Sequence, residues 1–287
     1  MTNYHIISDS ACDLSVAMLQ KLGVTITPLH VLYKGETIRD TAEDDAVQAF
    51  YAGMRSGEVP TTSAVNPEGW VSVIQPVLDQ GQDALVLAFS GGLSTTYQSA
   101  VIAATELSEQ YPHRQIRVVD TASAALGQGL LVYYACKKRD EGLSLEQLAA
   151  WVEENKPHVA HWFTVDDLVY LKRGGRVSTA TAVVGTMLQI KPVLHVDDEG
   201  RLVSMVKARG RKASMEALVK KFDELGEGFA NDIVFICHAD CIDDAKKLEQ
   251  LMLQRGVKEV YIGNLGAVIG SHAGPGTLAL FFLGKHR

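Results

Sequence analysis

Four short stretches carry the side chains with which this 287-residue chain could hold or transform a ligand. GNLGAVIGSHAGPGT, residues 263 to 277, sets His272 among five glycines. An imidazole there can donate or accept a hydrogen bond near neutral pH, and would carry charge only beside an acid. Gly270, Gly274 and Gly276 permit left-handed backbone and close approach of N–H groups to a ligand, and Pro275 stiffens the turn. The other stretches are Thr61-Thr62-Ser63, Ser90 to Thr96, and Arg173 to Arg176. SGGLSTTY, placed before a helix, can offer hydroxyls, amides and a helix dipole to an anion. LKRGGR supplies two guanidinium groups of the kind that pair bidentately with carboxylate or phosphate.

The same stretches lack the signatures of bond-breaking sites. GGLSTT has no Gly-Lys-Ser/Thr ending of a phosphate-binding P-loop, and no G-x-S-x-G surrounds Ser90 or Ser94. Ser94 and His272 could serve as nucleophile and base of an acyl hydrolase, but no acid is identifiable to orient the histidine. Cys237 and Cys241 flank His238 without the second ligand pair that a structural zinc site needs, so no metal is expected. The sum is an anion site with no evident catalytic machinery.

Positioning these groups requires a scaffold, and the periodicity indicates one. YHIIS, DALVLAF and QIRVVD read as strands, each followed by a helical run, and such alternation indicates a parallel sheet covered on both faces. Ligands on such sheets sit beyond the carboxyl ends of the strands. VTITPLHVLY reads as a further strand, Ser10 or Asp13 as a helix cap, and Asn66-Pro67 as the start of another helix. Near Lys156 the rhythm changes. Beyond it come the loop LKRGGRVST, a helix, the strands IKPVLHVD and RLVSMVKARG joined by a turn at Asp198-Glu199-Gly200, and further helix and strand alternation. The expectation is an α/β protein of two domains, an N-terminal parallel-sheet domain over residues 1–157 and a C-terminal mixed-sheet domain over 158–287, with the ligand between them.

Composition narrows the partners. The net charge of −7 disfavours a chain-wide grip on nucleic acid or an anionic membrane, and no apolar run is long enough for stable membrane insertion. Four scattered cysteines and no signal-peptide pattern suggest a cytoplasmic protein.

In order along nearly the whole chain, SDSACDL at 8 to 14, TSAVNP at 62 to 67, SGGLSTTYQSA, VVDT, DLVYLKRGGRVS, LQIKPVL, DEGRL and GSHAGPG closely resemble the DegV family. These are bacterial fatty-acid-binding proteins whose characterised members are called FakB. The resemblance implies a non-catalytic carrier that holds one long-chain fatty acid with its tail in an apolar tunnel. The carrier would present the carboxylate to a separate ATP-dependent FakA-like kinase subunit, whose acyl-phosphate product feeds phospholipid synthesis. It would need no cofactor of its own. It further implies that Thr62 with its neighbour Ser63, Ser94 with Thr95, and His272 with Gly274 form the head-group site. Arg173 would touch either the head group or the partner. One departure stands out: Thr95 occupies a position where glycine is common, so either the backbone there has ordinary φ and Thr95 adds a hydroxyl, or the loop is rearranged. A carrier of another anionic lipid remains the alternative. Burying a saturated chain contributes roughly 0.8 kcal/mol per CH₂ before ordering costs, which suits tight retention.

Overall fold

The computed structural model describes residues 3–40, 42–177 and 189–287. In chain order, β1 (Tyr4–Asp9), α1 (Val16–Leu22) and β2 (Val24–Thr27) open the molecule. β3 (His30–Tyr33), β4 (Glu36–Arg39), α2 (Asp44–Arg55) and β5 (Thr61–Ser63) follow. Next come α3 (Pro67–Asp79), β6 (Asp83–Ala88), α4 (Thr96–Gln110), β7 (Ile116–Asp120), α5 (Ala125–Asp140) and α6 (Leu145–Asn155). Strands β2, β1, β6 and β7 lie in that order as a wholly parallel sheet, as the alternation indicated. β6 is buried on both faces, which is why its sequence is an unbroken apolar run.

The second half is built on β8 (Val159–Thr164), α7 (Val169–Arg173), β9 (Ile190–Val196), β10 (Leu202–Arg209) and α8 (Arg211–Leu225). It closes with β11 (Ile233–His238), α9 (Ile242–Leu253), β12 (Glu259–Asn264), α10 (Ala267–Ala273) and β13 (Leu278–Leu283). Its six strands run β10-β9-β8-β13-β11-β12, and within that mixed sheet only β11 and β12 pair in parallel. The molecule is therefore an α/β protein with one parallel-sheet and one mixed-sheet layer. Helix α5 joins them: Leu126 to Val132 are all buried, and the helix packs on β8, β11 and β13 while also touching the turn after β1. One continuous core runs from Ile6 and Val86 through Leu126 to Phe235 and Phe281.

Several local expectations hold. Asn66 caps α3 by accepting the Gly69 amide, Pro67 is its first residue, and β9 and β10 form an antiparallel hairpin with Gly200 at φ +73°. Others are corrected. VTITPLHVLY is two strands in two sheets, broken at Pro28, which has no amide to donate. Ser15, not Ser10 or Asp13, caps α1 through the Met18 amide; Asp13 instead sits in left-handed backbone at the end of a short 3-10 turn. Thr61–Ser63 is no loop but an edge strand, antiparallel to β3 in a separate three-stranded sheet. β13 is an apolar segment that the alternation did not reveal; it lies between β8 and β11 with helices α5 and α8 against it, so its side chains show no polar face. The start of LKRGGRVST is the end of α7. The helix expected between residues 178 and 188 lies outside the described residues.

Candidate functional site

A cavity of about 500 Å³ lies between the two sheets, in the size range of ligand pockets. It stands at the carboxyl ends of β6 and β7, where Phe89, Gly91 to Ser94 and Ala124-Ala125 reach it. Its long walls are apolar: Leu29 and Phe89 from the first half, and Phe163, Val196, Leu202, Val268, Ile269 and Phe281 from the second. Thr62, Ser63, Ser94, Thr95, Gln98, Arg176 and His272 give the lining a polar region, and His161 and Thr277 are further polar residues of the wall.

His272 is carried by α10 and not by the glycine-rich turn that the sequence suggested. Its Nε2 lies 2.8 Å from Thr62 Oγ1, so a residue of the edge strand β5 meets one that is 210 positions away. Burial, with the Arg176 guanidinium close by, lowers its pKa to about 4, so the ring is neutral at pH 7. Glycine is required opposite it: a Cβ on Gly174 would lie 2.1 Å from His272 Nδ1. Tyr51 and Gly270 fix the other side of α10, since the Tyr51 hydroxyl donates to Leu265 O at 2.8 Å and fills the space where a Gly270 side chain would be.

Ser94 and Thr96 share a hydroxyl contact of 2.8 Å, and Ser94 Oγ accepts the Thr96 amide at 3.2 Å. The pair thereby closes the first turn of α4, whose N-terminus faces the polar region. Thr95 has φ −79° and ψ 4°, so the replacement of glycine costs no left-handed strain, and its hydroxyl makes no cap bond within the helix. The loop is pinned from behind. Gly91 N donates to both Asp120 oxygens (3.1 and 3.2 Å), Phe89 N donates to Asp9 Oδ2 at 2.7 Å, and Ser90 Oγ donates to Gly200 O at 2.8 Å. That last bond docks the β9–β10 hairpin on the loop.

Of the two arginines in LKRGGR, Arg176 lines the cavity. It is half-buried and donates from Nε to Leu93 O at 3.2 Å. Arg173 stands outside, exposed at the end of α7 with its guanidinium 5.7 Å from the centre of the Tyr170 ring. Gly274 is also outside the lining; at φ +84° it ends α10 against the Tyr170 ring. Thus Thr62, Ser63, Ser94, Thr95 and His272 line one cavity, whereas Arg173, the last residue of α7, and Gly274, which ends α10 against Tyr170, do not. Asp120, which holds the loop after β6, was not singled out by motif; Arg176 was named with its turn as one of two guanidinium groups, but the resemblance pointed to Arg173.

The geometry suits binding an anion with an apolar body. Ser94 Oγ is engaged with Thr96 Oγ1 and His272 Nε2 with Thr62 Oγ1, so serine and histidine are not paired as nucleophile and base. Among the described residues, no group of His, Cys, Asp and Glu is placed to hold a metal ion, and no helix is long and apolar enough to cross a membrane.

Comparison with known proteins gives a consistent picture. Residues 3–285 match the family model described as uncharacterised proteins of the DegV family. A DegV domain-containing protein of Clostridium perfringens is 43% identical over 289 residues, covering 99% of this chain and 98% of its own. A fatty-acid-binding DegV family protein from Thermus thermophilus superposes with a TM-score of 0.88 at 36% identity, over 99% of this chain and all of that one. DegV of Bacillus subtilis, described as a fatty acid binding protein, gives a TM-score of 0.84 at 29% identity, over 99% of this chain and all of that one.

Proposed function

The chain belongs to the DegV family, and from that premise we propose that it binds a long-chain fatty acid and presents the carboxylate to a separate kinase. The observation that carries this reading is the cavity, with apolar walls drawn from both halves of the molecule and a polar region holding the neutral His272–Thr62 pair. A buried carboxylate needs donors or a counter-charge. If His272 Nε2–H donates to Thr62 Oγ1, the Thr62 hydroxyl hydrogen is released toward the ligand. Ser94, Thr95, the N-terminus of α4 and the Arg176 guanidinium supply further positive potential. The acyl tail then lies along Phe89, Phe163, Val268 and Phe281.

In this reading the protein is a non-catalytic, cytoplasmic carrier. The role of phosphoryl acceptor's host, serving an ATP-dependent FakA-like kinase, rests on the resemblance of the motifs to FakB proteins. Organic extraction of the purified protein followed by mass spectrometry tests the ligand: about one long-chain fatty acid per chain is expected, and a non-lipid ligand overturns the reading. Reconstitution with a FakA-like kinase, ATP and fatty acid tests the partner, with acyl phosphate formed only when both proteins are present.

A further inference from the structure

The motif SDSACDL, residues 8 to 14, lies behind the cavity, and its polar side chains Ser8, Asp9, Ser10 and Asp13 are all buried. Asp9 is fully engaged as a strut: it accepts the amides of Phe89 and Ala11 and the Gln128 side chain at 2.7, 3.1 and 3.2 Å. Asp13 is different. Its backbone is left-handed at φ 53°, and neither carboxyl oxygen receives a hydrogen bond of good geometry, although the Gly266 amide leans toward it. An acceptor-only carboxylate in that place would be a poorly compensated buried charge. A neutral acid would instead need an acceptor, and Asp40 is adjacent. A Cβ on Gly266 would lie 2.4 Å from Asp13 Oδ1 and 3.2 Å from Asp40 Oδ1, so both carboxyl groups converge on one glycine.

That glycine is the residue from which α10 starts. Asp40 Oδ1 accepts the Val268 amide of α10 at 2.9 Å, and Asp40 Oδ2 accepts the Ser10 hydroxyl at 2.8 Å. One turn further on, α10 carries His272 into the cavity. We propose that Asp13 and Asp40 form a carboxylic acid–carboxylate pair that positions α10, and with it His272, so that losing the shared proton loosens the hold on the ligand. Two neighbouring buried carboxyls do not both ionise readily. Burial first, and then Asp40, hold the Asp13 carboxyl well above the usual carboxylate range. The other titratable groups that face the pair among the described residues are Asp9 and Cys12 beside it, Tyr51 of α2 and Cys237 of β11. Each is an acid, so ionising any of them adds to the negative charge.

The test compares the native chain with Asp13→Asn, which imitates the neutral acid and tolerates left-handed backbone. Hydrogen exchange of the α10 amides in ligand-free protein, corrected for intrinsic rate, is followed from about pH 6 to about pH 10. Native protection should fall, by up to about tenfold per pH unit once the pair titrates, and Asp13→Asn should stay level. Parallel profiles overturn the proposal; should the variant not fold, a level profile in the native chain does so as well. A second arm, displacement of a fluorescent fatty acid over the same range, rests on the fatty-acid reading above. Loss of native affinity in step with α10 protection supports the coupling, and affinity that stays level while protection falls overturns it. Absence of fatty-acid binding at every pH removes that reading alone, and the exchange profiles still decide whether the pair positions α10.

Discussion

At the scale of single residues, the polar region of the cavity is a set of neutral donors with one guanidinium, and the proposed function assigns it the head group. Thr62→Ala and His272→Ala should each weaken fatty-acid retention by about tenfold to a hundredfold, the loss of one hydrogen bond to a charged group, with the fold intact. Competition binding checks this. Arg176→Gln should weaken retention while Arg173→Gln leaves it unchanged, because only Arg176 lines the cavity; equal effects from the two would remove Arg176 from the site. The buried His272 also has a pH signature. Its pKa falls from 6.5 to about 4 on folding, so the unfolded chain binds its proton first and stability is lost as pH drops from 6.5 toward 4. His272→Gln should make the acid side of a melting-temperature profile shallower. Thr62, Ser94 and His272 were legible from residue type and from the resemblance. The choice of Arg176 over Arg173 was not, since adjacent turn positions point in unrelated directions until the helix end is fixed.

At the scale of elements, glycines mark where segments meet. Gly174 has ordinary backbone, φ −72°, so Gly174→Ala adds no conformational strain and acts only through its clash with His272. Retention should drop at least tenfold while stability falls by the modest amount typical of local overpacking, about 1–3 kcal/mol. A Cβ on Gly92 would lie 2.5 Å from Glu199 O, which is backbone and cannot swing away. Gly92→Ala should therefore lift the β9–β10 hairpin from the loop after β6 and increase ligand off-rates, measurable by stopped-flow displacement. The parallel strands, the hairpin and the α3 cap were visible as pattern. The edge strand β5 was hidden, because three polar residues resemble a linker until β3 is found beside them, and α10 was hidden because its glycines imitate a turn.

At the scale of the whole molecule, the cavity borrows its walls from both sheets, so ligand and fold are linked. A fatty acid at a hundred times its dissociation constant should stabilise the protein by about 2.7 kcal/mol, raising the melting temperature by roughly 4–5 °C. Scanning calorimetry with and without ligand measures this, and no shift would mean that the fatty acid does not bind the native chain in preference to the unfolded one. The sequence by itself determined the α/β class, the parallel order implied by strand and helix alternation, and the residue types of an anion site. Those properties are written in local periodicity and in chemical identity. Only the tertiary structure decided that His272 meets Thr62 across 210 positions, that Arg176 faces inward, and that Asp13 and Asp40 converge beneath α10. Such pairings depend on how helices and strands pack once α5 joins the two sheets, and no spacing along the chain encodes that distance.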